Sequence, residues 1–308
     1  MKGLELSEKY FERYGRPMID EKFSGFRDRV AAGLAGDGSE CFGFDDELSM
    51  DHDWGPSFCL WLTKDDYQKI GAGLAAELEK LPQSFEGYPP RNVSAFGKNR
   101  VGVFAIGFFY RNYIGIDHLP ASLGQWMRIS ENRLAACTNG KVFCDGLGAF
   151  TGFRNGLKQF YPEDVRLRKM AARCVSIGQY GQYNFRRCFK RGEYVAASYA
   201  QAKFCADMIS LIFLLNREYT PFFKWMHKAL KKLPVMGEYA HRVIKEIVLV
   251  SDSERKYLLI EEICEKVIEV MRQQKLSDSN SDFLIDHGEA LRLKIEDPDL
   301  RGMSVWSG

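Results

Sequence analysis

The feature that most constrains this chain is a change of hydrophobic period near residue 150. Before it, short apolar runs bounded by glycine, proline and aspartate alternate with helical stretches. "RVAAGLAGDGS" reads as a strand running into a turn, "DHDWGPSFCLWLT" (51–63) as a buried strand, "RVGVFAIGFFY" (100–110) as the best strand and "GKVFCD" (140–145) as a shorter one. Segments 7–30 and 64–81 carry apolar residues at helical spacing, with Pro17 near the start of a helix. After Phe150 the strand signals vanish and helical patterns fill 150–160, 162–191, 193–218, 221–233, 237–250 and 254–275, the last with Ser251 and Glu254 spaced as a capping box. The stretch 194–216 carries only Lys203 and Asp207 as charges, four residues apart, which marks a central buried helix. The final 277–308 is polar and reads as an arm. The order predicts an α+β chain, with a mixed sheet and flanking helices over 1–149 followed by an all-α helical bundle over 150–308.

At 308 residues the length suits about two domains. The net charge of +2 points to no particular partner. Its distribution says more, with 17 basic and 21 acidic residues in 1–150 against 26 and 20 in 151–308. An acidic first half and a basic second half suit a metal–polyphosphate site between them, or ordinary surface variation. The N-terminus "MKGLELSEKYF" is charged and has no signal-peptide core. The run "MISLIFLLN" is far short of the roughly 20 residues that span a bilayer. None of the eight cysteines forms a zinc or redox spacing, so reduced thiols in a cytoplasmic protein with no membrane partner are expected.

Chemistry concentrates in "GSECFGFDDELSMDHDWGP", Gly38 to Pro56. Asp-x-Asp alone is weak. With 19 aspartates one such pair is expected by chance, and a second, Asp297 and Asp299, lies in the turn-like "EDPDLRG". Asp51 and Asp53 differ in context, because on a strand residues i and i+2 share a face. Two carboxylates held together repel unless a cation lies between them. Mg²⁺ suits one or two carboxylates plus substrate phosphates. Gly38 and Ser39 offer backbone amides and a hydroxyl in a tight turn, a phosphate cradle. The alternative is that Asp51 caps a turn and Asp53 pairs with an arginine. His52 is expected on the opposite strand face, in the core or supporting its neighbours.

Gly38-Ser39, eleven residues, then Asp51-His52-Asp53-Trp54 resembles the signature of the DNA polymerase β-like nucleotidyltransferase superfamily. With "TNGKVFCDGLG", "YPEDVRLRK", "QYNFRR" and "LNREYTPFFKW", the chain is similar to a mostly bacterial nucleotidyltransferase-fold branch of unknown function. The resemblance implies Asp51 and Asp53 as ligands of Mg²⁺ or Mn²⁺. It implies in-line attack of an acceptor hydroxyl on the α-phosphorus of a nucleoside triphosphate, with release of pyrophosphate. The acceptor is a small molecule, a protein side chain or an RNA end. A third acid is expected from a neighbouring strand, but "RVGVFAIGFFY" has none. Asp145 is the next candidate, its alternative being a turn residue before Gly146. The superfamily includes inactive members, so a nucleotide-binding or interaction protein on the same fold is the second expectation.

The helical half adds ten basic and two acidic residues between Arg154 and Arg191. "QYGQYNFRRCFKRG" mixes aromatics with arginines. Arg187 there, and Lys224 in "LNREYTPFFKWMHKAL", are candidates to meet the triphosphate. A solvated basic face is the plain alternative. An RNA-binding or RNA-modifying role is the third expectation.

Overall fold

The computed structural model describes residues 1–308 except Phe96. The chain forms two compact units. The first contains Met1–Ala121 and Asn132–Gln159, the second Ser122–Glu131 and Phe160–Gly308. This division is not a single cut, because 122–131 folds with the later residues.

The first unit is built on a mixed four-stranded sheet of order β3-β2-β1-β4, with β1 Ala31–Leu34, β2 Cys59–Leu62, β3 Gly102–Ala105 and β4 Lys141–Cys144. β1 is antiparallel to β2 and to β4, and β2 is parallel to β3. The parallel step needs a crossover, supplied by the helix Lys64–Leu78, whose first turn is capped by the Thr63 hydroxyl accepting from the Asp66 amide. Period-two alternation splits β2 between two cores. Leu60 and Leu62 face a cluster of Tyr10, Phe11, Met18, Ile19, Phe58 and Leu74, to which the N-terminal helices Gly3–Tyr10 and Arg16–Lys22 contribute. Trp61 stacks on Phe150 at 3.8 Å and meets Phe109 edge-on.

Two strand expectations need correction. Residues 51–58 are irregular and the strand begins only at Cys59, because Gly55 has φ 139° and Pro56 brings no N–H to a ladder. In "RVGVFAIGFFY" only Gly102–Ala105 is strand. The rest opens the helix Ile106–Ile114, which ends at Gly115 with φ 78°.

The second unit is helical throughout. Helix Glu163–Ile177 continues through a π-helical stretch, Gly178–Phe185, into Arg186–Lys190. The long helix Tyr194–Leu215 lies at the centre, and Phe223–Leu230, Gly237–Leu249 and Ser253–Gln273 follow. Tyr194–Leu215 is long and apolar enough to cross a membrane, but 67% of its apolar window is buried inside the protein. Lys203 and Asp207 on it pair at 3.0 Å. The cap of Ser253–Gln273 is Asp252, which accepts from the Glu254 and Arg255 amides, in place of the expected Ser251. The polar tail contains two helices, Leu284–Leu293 and Pro298–Gly302; Asp297 caps the second by accepting from the Leu300 amide.

Three side-chain donors in the unit's polar interior converge on Glu131. It is 8% exposed and accepts from Arg173 at 3.1 Å, Ser210 at 2.9 Å and Thr220 at 2.6 Å. Asp207, 4% exposed, accepts from Ser176 and Lys203. Each buried carboxylate is thus matched by donors, as burial of charge requires.

Candidate functional site

The connection from β1 to β2 holds the Gly38–Asp53 segment. A three-residue 3-10 turn, Glu40–Phe42, follows Ser39 directly. The amides of Cys41, Phe42, Gly43 and Phe44 all donate to the carbonyls of Gly38, Ser39 or Glu40, so the turn spends them internally. Gly38 is buried, and a Cβ there would overlap the Glu40 carboxylate. Only glycine admits this approach of side chain to backbone.

Glu40 is 4% exposed, and burial pushes its carboxyl above the usual range although Arg91, 3.5 Å away, pulls it down. Asp45, 2% exposed, accepts from the Gly3 amide at 2.7 Å and from the Trp54 indole at 3.2 Å through Oδ2. Its Oδ1 has no hydrogen bond among the described residues and stands 3.8 Å from Lys2 Nζ. Arg91 donates to Ser57 Oγ at 2.9 Å, while its buried Nε has no partner among the described residues.

Asp53 is buried, at 4% exposed, with φ 52°. Its carboxylate accepts from the Ser94 amide at 2.9 Å and the Ser94 hydroxyl at 2.5 Å, with Arg100 at 3.6 Å. Its own amide donates to Asn92 O at 2.6 Å. A Cβ on Gly97 would overlap the Asp53 carboxylate, so the backbone there packs directly on it. Burial raises the Asp53 carboxyl. The Ser94 donors, then Arg100 and Arg91, outweigh it and leave the group below the ordinary carboxylate range, ionised at neutral pH.

Asp51 is exposed, with His52 Nδ1 at 2.7 Å from its Oδ1. The expectation that the two aspartates share a strand face does not apply, since 51–53 is not strand. His52 is exposed rather than in the core. Asp145, half-buried, accepts from the Thr151 amide at 2.7 Å and so braces the first turn of helix Ala149–Lys158, the turn role weighed against metal ligation. Arg187 and Lys224 belong to the second unit. Both are exposed, Arg187 lying 4.6 Å over the Tyr183 ring and Lys224 5.0 Å from that of Trp225.

These residues do not fit a preassembled metal centre. Asp53 spends its oxygens on Ser94 with a guanidinium beside it, Asp51 faces solvent and His52, and among the described residues no group of three or more His, Cys, Asp or Glu side chains is placed to hold an ion. The residues that sequence reading missed are Glu40, Asp45, Ser94, Arg91 and Arg100. The available signal was the acid density of "GSECFGFDDE". The partners from 91–100 come from a loop with no local pattern to tie it to Asp53.

Residues 126–226 match the model of a family described as "Domain of unknown function (DUF4037)". The match covers a third of the chain and lies outside Gly38–Asp53. No curated protein matches. Among solved structures, the chain is similar to a nucleotidyltransferase-like protein from Exiguobacterium sibiricum 255-15, at 12% identity over 87% of this chain and 76% of that one, with a TM-score of 0.35. Identity and superposition are both too low for that likeness to support a site or an activity.

Proposed function

We propose that the first unit binds a nucleoside triphosphate with its divalent ion at the Gly38–Asp53 segment, and that the chain is a nucleotidyltransferase moving a nucleoside monophosphate to a hydroxyl acceptor. The observation that carries this reading is the concentration of buried carboxyl groups around the signature. Glu40, Asp45 and Asp53 are each at most 4% exposed, with Arg91, Arg100 and Lys2 as their close cations, and one Asp45 oxygen has no hydrogen bond among the described residues. Burying charged groups costs stability, and such clusters concentrate at functional sites. The spacing Gly38-Ser39-x11-Asp51-x-Asp53 supplies the class. Mg²⁺ or Mn²⁺ is proposed to arrive with the triphosphate, which provides most of its ligands. Asp51, exposed with His52 beside it, is the carboxylate proposed to meet it.

A second reading, nucleotide binding without transfer, is favoured by a specific observation. Asp53 is engaged by Ser94 and Arg100, and Asp145 is engaged by the Thr151 amide. One experiment separates the two. Protein is incubated with each nucleoside triphosphate labelled at the α-phosphorus, with Mg²⁺ or Mn²⁺ and a cell extract. Label covalently attached to an acceptor, and lost in Asp51→Asn, supports transfer. Calorimetric binding of a nonhydrolysable triphosphate with no label transferred supports the second reading, and neither binding nor transfer removes both.

A further inference from the structure

The second unit carries a surface that the nucleotide reading leaves unused. The π-helical stretch Gly178–Phe185 and the start of helix Tyr194–Leu215 pack together. Gly181 permits it, since a Cβ there would overlap the Phe204 ring. On this surface Tyr183, Tyr194 and Tyr199 are 46%, 61% and 62% exposed. Tyr199 meets Tyr180 edge-on at 5.8 Å, and Tyr194 meets Phe189 at 5.2 Å, so the outer rings stand on inner ones. Large exposed rings so braced cost little entropy when they bind.

The charges around them have one sign in excess. Arg187, Lys190 and Arg191 are exposed, and none forms an ion pair among the described residues. Arg186 is already taken by Glu254, at 2.7 Å. The exposed acid within the same stretch is Glu193. Arg187 lies 4.6 Å over one face of the Tyr183 ring. A run of cations outside ion pairs, interleaved with exposed aromatic rings, is complementary to a strand with phosphates on one side and unpaired bases on the other. Stacking of bases on aromatic side chains together with a backbone-tracking positive surface is how single strands are held without sequence selection. A duplex hides its base faces and a lipid surface offers none, whereas the exposed rings here are tyrosines.

We propose that the 183–199 surface binds single-stranded nucleic acid, its bases stacking on Tyr183, Tyr194 and Tyr199 and its phosphates meeting Arg187, Lys190 and Arg191. The proposal does not depend on the nucleotide reading.

The test is fluorescence anisotropy of the full chain with labelled 12-nucleotide single-stranded RNA and DNA, the matching duplex, and phosphatidylserine vesicles, over a salt series. The expected result is binding of single strands in preference to duplex and vesicles. The log–log salt slope is expected near about −2, from three cations at roughly 0.7 each. Arg187→Ala/Lys190→Ala/Arg191→Ala should flatten that slope. Tyr183→Ala/Tyr194→Ala/Tyr199→Ala should weaken binding by at least about tenfold while keeping the slope. Unchanged circular dichroism shows that both variants fold. RNA held more tightly than DNA would point to the 2′-hydroxyl as a further contact. No single-strand binding, equal binding to duplex, binding insensitive to both variants, or preference for vesicles overturns the proposal.

Discussion

At the residue scale the two signature aspartates have separate jobs. Asp51 is exposed, and among the described residues its side chain pairs with its neighbour His52. Asp51→Asn is therefore expected to leave stability within about 0.5 kcal/mol of the parent, checked by urea unfolding, and to abolish triphosphate binding. Asp53 anchors the loop that carries Ser94 and Arg100. Its folded carboxyl is depressed, so the stability it contributes is present above the unfolded value near about 3.9 and lost as pH falls through the folded one. Asp53→Asn should cost about 1–2 kcal/mol at pH 7 and progressively less below about pH 4. Asparagine tolerates the left-handed backbone there, which keeps the comparison on charge. Glu40 has the opposite sign. Burial, only partly offset by Arg91, raises its carboxyl, so its contribution is greatest below the unfolded value near about 4.3 and lost as pH rises through the folded one. Glu40→Gln should match or exceed parent stability at pH 7.5 and lose that advantage near about pH 4, measured by denaturant unfolding at both.

At the element scale the helices of the second unit rest on Glu131. Removing it leaves Arg173 without that partner and strips an acceptor from Ser210 and Thr220. Glu131→Ala is expected to cost about 3–5 kcal/mol in thermal or chemical unfolding, the range for breaking a buried pair. Much of this scale was legible in the sequence. The uncharged span around Lys203 and Asp207 does form the central helix, because a long apolar run has nowhere to go but the interior. The strands were legible as existing but not as bounded. Gly55 and Pro56 delay β2 to Cys59, and the aromatics of "IGFFY" suit the helix Ile106–Ile114 as well as a strand. Signals of period and propensity fade at such ends, where a positive φ or a missing N–H decides.

At the scale of the whole molecule, the mixed sheet and the helical later part follow from the change of period at 150. That 122–131 folds with the second unit did not follow, since the donors that Glu131 meets there come from residues 42 to 89 positions away. The same holds for the candidate site. Gly38, Ser39, Asp51 and Asp53 were found by spacing, while Ser94, Arg91 and Arg100 reach it by tertiary contact alone. The most direct test is calorimetric titration of the full chain with a nonhydrolysable nucleoside triphosphate, with and without Mg²⁺, for the parent and Asp51→Asn. Binding that requires Mg²⁺ and falls more than tenfold in the variant at unchanged melting temperature is the predicted result. Binding that is absent, or is indifferent to both the ion and Asp51, would contradict it.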